Sequence, residues 1–173
     1  MSGHSKWSQI RHKKEITDQK KGQLFSKLAR KISIAAREGT DPSANYKLQA
    51  VIEEARTFNM PKENIERAIK RASEKETAAL GELTIQAMGP SGIALVIEAI
   101  TDNKNRTINE IKHILTEHEA KMVPEGSLNW VFGPNWIPHS PVETTPENQE
   151  KLEKLLEELD NNDDVENMYT NLK

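Results

Sequence analysis

Cysteine is missing from the 173 residues. That excludes disulfides, thiolate metal sites and cysteine nucleophiles, and it fits a reducing compartment. No apolar run approaches the roughly 20 residues that a membrane-crossing helix needs, so no membrane partner is expected. The basic start of the chain has no apolar signal-peptide core. Its cations are mostly Lys, where a mitochondrial presequence would be Arg-rich. A cytoplasmic location is the expectation. Catalytic constellations are also lacking. Gly89-Pro90-Ser91-Gly92 has neither the Gly-x-Ser-x-Gly spacing of a nucleophile elbow nor the Gly-Lys-Ser/Thr ending of a phosphate loop, and it reads as a hairpin turn. His113 and Glu117 stand four apart with His118 alongside, but the second His of a helical zinc motif is absent. The expectation is a protein that is not an enzyme, with no cofactor, no metal and no small-molecule substrate.

Charge is plentiful and unevenly placed. The first 37 residues hold ten Lys or Arg against only Glu15 and Asp18, whereas the remaining chain holds 14 basic residues and 25 acids. A net charge of −3 therefore hides a basic front and an acidic back. Such a segment attracts polyanions locally while the rest of the chain repels them, which makes nucleic acid the expected partner. The candidate contacts are Lys6, Trp7, Arg11, Lys13, Lys14, Lys20, Lys21, Lys27, Arg30, Lys31 and Arg37. The cations would neutralise phosphates and release counterions. Trp7 has two open readings, a ring that stacks on a base and a docking anchor. A secondary anion site is read at Asn103, Lys104, Asn105 and Arg106, where a strand hands over to a helix N-terminus. The alternative there is a capping loop, with Asp102 or Asn103 as the cap.

Hydrophobic spacing predicts the elements. Residues 1–20 read as irregular or loosely helical. A helix over about 21–38 places Leu24, Phe25, Leu28, Ile32, Ala35 and Ala36 on one face and Lys20, Lys27, Arg30, Lys31 and Arg37 opposite. Asp41 reads as the cap of a second helix bearing Leu48, Val51, Ile52 and Ala55. Pro61 opens a third, bearing Ile65, Ala68, Ile69 and Ala72. Residues 73–81 read as a linker. Strands follow at 83–88 and 93–100, the second nearly all apolar and therefore central. Then come a helix over 104–119, a strand at 128–132, a proline-bearing edge segment at 136–142, a helix over 146–159 and a strand at 163–169. The fold class is α+β, an N-terminal three-helix domain followed by a small α/β domain with a mixed or antiparallel sheet. The domains fall at 1–76 and 80–173, and no internal repeat is read.

These residues resemble a known family. Gly3-His4-Ser5-Lys6-Trp7, the basic stretch with Lys13 and Lys14, Asp41-Pro42, Asn59-Met60-Pro61, Ile65-Glu66-Arg67-Ala68-Ile69, Gly89-Pro90-Ser91-Gly92, Asp102 to Thr107 and Gly126-Ser127 look like the YebC/PmpR family, in order along nearly the whole chain. The resemblance implies a cytoplasmic, non-enzymatic DNA-binding regulator of transcription. Relatives are also described as ribosome-associated, RNA-binding translation activators that help synthesis of proline-rich segments. Duplex DNA, ribosomal RNA and the ribosome are thus the implied partners, with a protein-interaction module as a further alternative. Phosphate contacts carry no sequence information, and neither a helix-turn-helix reader nor an RNA-stacking module is recognisable. The family normally carries a further small α/β domain between the segments at 128–132 and 136–142. Here only Gly133-Pro134-Asn135 joins them, so the chain resembles a shortened member without that inserted third domain.

Overall fold

Helical spacing of apolar residues, followed by strand spacing, separates the chain into two parts. The computed structural model describes residues 17–173, which fall into one unit closing at Gly81 and another running Glu82–Lys173. The architecture is α+β, with an N-terminal helical part followed by a small α/β part.

In the helical unit, α1 spans Asp18–Ala35 and is capped by Thr17, whose hydroxyl accepts from the Lys20 amide. A 3₁₀ turn, Ala36–Glu38, continues it. Helix α2 spans Tyr46–Thr57 and α3 spans Lys62–Lys70, followed by a 3₁₀ turn Arg71–Ser73 and the short α4, Lys75–Ala79. The stretch read as a linker is therefore largely helical. Leu24, Leu28 and Ile32 of α1 meet Leu48, Ile52 and Ala55 of α2 and Ile65 and Ala68 of α3. Each large aliphatic side chain buried there contributes roughly 1.5–3 kcal/mol.

Asp41 does not cap α2. Its carboxylate instead closes a local turn by accepting from the Ser43 amide (2.9 Å) and hydroxyl (2.7 Å), a habit of Asp that competes with capping. Those bonds, chiefly the one from the Ser43 hydroxyl, hold the exposed Asp41 carboxyl below the usual carboxylate range. The cap is Asn45, which is buried. Its Oδ1 accepts from the Leu48 amide (3.1 Å), and its Nδ2 donates to the carbonyls of Ala35 (2.8 Å) and Gly39 (2.7 Å). One amide side chain thus satisfies the open end of α1 and the open start of α2.

The second unit has β1 (Gly81–Met88), β2 (Ala94–Thr101), α5 (Lys104–Glu117), β3 (Lys121–Val123), α6 (Pro146–Asn161) and β4 (Val165–Thr170). The sheet order is β3-β1-β2-β4, with β3 antiparallel to β1 and β4 antiparallel to β2. The apolar β2 is central, as its composition requires. Leu95 and Ile97 point to Ile111 and Leu115 of α5 and to Leu152, Leu155, Leu156 and Leu159 of α6. Ala94 and Val96 point the other way, to Leu128, Val131 and Phe132.

Residues 128–132 are not a strand. The amides of Val131 and Phe132 both donate to the Leu128 carbonyl, which makes a helical turn. The third strand is Lys121–Val123 instead. Leu128, Val131 and Phe132 stand at i, i+3 and i+4, a helical spacing that turns all three onto the sheet. Over 136–142 the backbone makes only isolated bridges, Phe132 to Pro138 and Val142 to Leu172.

One turn is built twice, although no internal repeat is legible in the sequence. In Gly89-Pro90-Ser91-Gly92-Ile93 the Gly89 amide donates to Ile93 O (2.7 Å), and in Gly133-Pro134-Asn135-Trp136-Ile137 the Gly133 amide donates to Ile137 O (2.8 Å). The third residues match at φ 59° for Ser91 and 57° for Asn135. The fourth residues are Gly92 at φ 76° and Trp136 at φ 56°. A Trp there costs on the order of 1 kcal/mol or more in backbone strain. The indole is held in return: its Nε1 donates to Glu98 (2.8 Å), and its ring meets Phe132 edge-on at 6.3 Å.

Replacing Asn45 by Ala should lower the stability of the helical unit by about 2–3 kcal/mol, combining a lost cap with two abandoned carbonyls. Asn45→Asp keeps the cap acceptor and loses the two donated bonds, so it should fall between Ala and the parent. Urea unfolding followed by circular dichroism tests the ranking.

Candidate nucleic-acid interface

Five of the expected contacts, Lys6, Trp7, Arg11, Lys13 and Lys14, lie outside the described residues. The others lie on α1 and its 3₁₀ extension, and they are not equivalent. Lys20 and Lys21 are exposed at the start of α1, with the Lys21 ammonium 5.7 Å from the centre of the Phe25 ring. Arg30 is half-buried. Lys27 is buried, only 3% exposed. Lys31 is half-buried and forms an ion pair with Glu54 of α2. Arg37 is exposed, and both its terminal nitrogens donate to the Leu80 carbonyl at 3.1 Å.

The expected uniform cationic face of α1 is therefore corrected. Lys27 and Lys31 stand three residues after Leu24 and Leu28, so helical geometry sets them on the flank of the apolar stripe, not opposite it. Both α2 and α3 pack on α1, and that wide buried arc takes in the flank. Ser33 is also buried within it, its hydroxyl donating to Ala68 O at 2.7 Å.

The secondary anion site at 103–106 does not assemble. Asn103 caps α5 by accepting from the Arg106 amide (3.1 Å), and its own amide donates to Thr101 Oγ1 (2.9 Å). The Arg106 guanidinium is bracketed by carboxylates: Asp164 at 2.8 Å, Asp102 at 3.0 Å and Glu110 at 3.7 Å. Its pKa is raised, first by the hydrogen bond to Asp164 and next by that group's charge. An anion arriving there would meet three negative groups. Lys104 and Asn105 are exposed beside this cluster. The capping-loop reading is the correct one. Asp164 is buried and also accepts from Thr107 Oγ1 (2.7 Å), which lies 2.7 Å from Thr101 Oγ1.

Other titratable groups have partners within the α/β unit. His113 lies 3.5 Å from Glu117, and His118 pairs with Glu158 of α6. Glu98 on β2 accepts from Trp136 Nε1, Asn167 Nδ2 (3.2 Å) and Tyr169 OH (3.2 Å). Among the described residues no group of three or more His, Asp or Glu could hold a metal ion, and no helix is long and apolar enough to cross a membrane.

The sequence reading passed over a second set of exposed cations, Arg56, Arg67, Lys70, Arg71 and Lys75. Among the described residues, Arg56, Arg67, Lys70 and Lys75 enter no ion pair, while Arg71 approaches Glu74 only at 4.0 Å. Four cations within residues 67–75 were the available signal. With them counted, residues 1–81 carry 17 basic and 10 acidic side chains, and residues 82–173 carry 7 and 17.

A helical unit ahead of a small α/β unit is an arrangement shared with known proteins. Residues 5–75 match the family described as TACO1/YebC protein N-terminal domain, and residues 80–134 and 133–172 match TACO1/YebC second and third domain. The chain belongs to the TACO1/YebC family. It is 35% identical to the probable transcriptional regulatory protein Teth39_1009 of Thermoanaerobacter pseudethanolicus, over all of this chain and 97% of that one. A probable transcriptional regulatory protein of Chlorobium chlorochromatii is 43% identical over 98% of this chain and 69% of its own length. Among solved structures, the conserved hypothetical protein Aq1575 from Aquifex aeolicus superposes with a TM-score of 0.82 at 30% identity, covering 98% of this chain and 97% of that one. The alignment with the Thermoanaerobacter protein runs over 239 positions, against 173 residues here, so at least 66 of its positions face no residue of this chain.

Removing the Asp164 carboxylate should expose how far the α/β unit leans on this cluster. Asp164→Ala is expected to cost about 2–3 kcal/mol, less than a fully buried pair because Arg106 is partly solvated. A urea midpoint matching that of the parent would show that the two bonds to the carboxylate, from Arg106 and Thr107, carry no net stability.

Proposed function

We propose that the chain is a non-enzymatic, nucleic-acid-binding regulator of gene expression that grips phosphate backbones through its basic N-terminal portion. The supporting observation is charge segregation, 17 bases to 10 acids in residues 1–81 against 7 to 17 in the rest. An acidic α/β unit keeps a polyanion away from itself, so capture is confined to the front of the molecule. Regulation then follows from occupancy rather than from chemistry. Duplex DNA is the preferred target, because the relatives are named as transcriptional regulators. A ribosome-associated role on structured RNA is the alternative, and binding only to another protein is the third outcome. Within this reading the arm residues Lys6, Trp7, Arg11, Lys13 and Lys14 make the main contacts, with Lys20, Lys21 and Arg30 continuing along α1 and Arg37 on the 3₁₀ turn that follows. Lys27 and Lys31 do not contribute, since burial and Glu54 occupy them.

We also infer that this is a shortened member of the family. The two family matches to the second part meet at residues 133–134, where the tight turn bearing Trp136 closes the chain. The unmatched positions of the longer relative belong at this join. On this reading the domains are the basic arm with the helical part, 1–76, and the α/β part, 80–173.

The test is equilibrium binding to duplex DNA, to an RNA hairpin and to ribosomes over a range of salt. The parent should bind with a steep negative salt slope. The variant K6A/R11A/K13A/K14A should lose about 0.9 in the duplex slope for each phosphate contact removed, equally across sequences. Adding K27A/K31A should change binding little. Preference for ribosomes over excess duplex DNA would favour the translation role, and a parent that ignores every nucleic acid would overturn the proposal.

A further inference from the structure

We propose that the helical unit holds a second phosphate-binding patch where the C-terminal ends of α1 and α3 meet, formed by Arg37, Lys70, Arg71 and Lys75. It rests on the nucleic-acid reading and gives that reading a contact surface apart from the arm.

The packing brings these residues to one end of the unit. The Ser33 hydroxyl pins the last turns of α1 to Ala68 O near the end of α3. The 3₁₀ turn Ala36–Glu38 then packs on the 3₁₀ turn Arg71–Ser73, and α4, which opens with Lys75, packs on α1. Arg37 reaches back to the Leu80 carbonyl with two N–H groups, which fixes its position and leaves three of its five donors for a ligand. Arg67 and Lys70 stand three apart on α3, and Arg71, its C-cap with helical φ/ψ, follows at i+4, so the three share one side. Arg37, Lys70, Arg71 and Lys75 are all exposed.

Described acids near the patch are engaged elsewhere or only loosely held to it: Glu38, in the turn with Arg37, pairs with Lys47 at 2.7 Å. Glu66 lies 3.6 Å from Lys62, a turn earlier on α3, and Glu63 is farther still from the helix end. Glu74 meets Arg71 only at 4.0 Å, with both side chains more than half exposed, a geometry that a phosphate oxygen displaces readily. Cations at a helix C-terminus also complement the helix dipole, which accounts for Lys70 and Arg71. It does not account for Lys75, which stands at the start of α4, where the dipole disfavours a cation. Four exposed cations on elements that pack together at one end, while Lys27 and Lys31 of α1 are buried or paired, are what an extended polyanion would stabilise.

The test compares the full chain with K70A/R71A/K75A and with K70Q/K75Q, which keeps Arg71 and its Glu74 neighbour. Binding to a duplex DNA and to an RNA hairpin is measured against salt, with circular dichroism to confirm the helices. The triple variant should lose about 0.9 in duplex slope for each lost contact, and the double variant roughly two-thirds as much. Loss on DNA alone, RNA alone or both identifies which backbone the patch holds. Should the triple variant unfold, the double variant decides. A folded variant that binds both probes as the parent does, while the arm variant fails, overturns the patch and leaves the broader reading standing. A parent that binds neither probe ends both.

Discussion

Asp164 is buried at the entry to β4, and the start of α5 is organised around it. A carboxylate out of water must be met by donors. Arg106 and Thr107 meet it from α5, Thr101 joins through the hydroxyls, and Asn103 caps the helix within the same group. Because β4 pairs with β2 and α5 follows β2, this cluster holds together three elements that are distant in sequence. It also decides what the loop cannot do. A guanidinium committed to three carboxylates is a structural strut, however inviting Lys104 and Arg106 look at a helix N-terminus.

The same competition governs the helical unit. A cation binds an external phosphate well only if a close carboxylate of its own chain has not already neutralised it. Lys31 has Glu54, and Lys27 lies under neighbouring structure. Exposed cations on α3 and α4 face weaker internal competition, with long or absent ion pairs among the described residues. Counting basic residues along the chain therefore locates its basic half, while packing decides which of those cations stay exposed.

Much of the fold was legible because its signals are local. The stripe Leu24–Leu28–Ile32, the apolar β2 and the leucines of α6 state their partners through spacing alone. The misreadings have one physical origin, a choice between equivalent local options made by distant contacts. Asp41 and Asn45 are both good caps, and only Asn45 can also donate to the end of α1. Residues 128–132 alternate weakly enough to pass for a strand, yet the i, i+3, i+4 placement of Leu128, Val131 and Phe132 suits a turn lying across the sheet. For the site, net charge was readable, but the depth of Lys27 depended on how wide an arc α2 and α3 would cover on α1.

The two copies of the Gly-Pro turn differ at the one position where backbone preference matters most. The first copy places Gly92 at positive φ, where no side chain has to be accommodated. The second places Trp136 there, against backbone preference, at the join of the two family matches. Such strain persists only when surrounding contacts hold it. Those contacts are present: Glu98 accepts from the indole, Phe132 packs on its ring, and the indole lies over the sheet face bearing Ala94 and Val96. A glycine would ease the turn and uncover that face. The tight closure and the cover of the sheet are thus one device, in which a bulky residue in an unfavourable conformation both closes the turn and covers the sheet face.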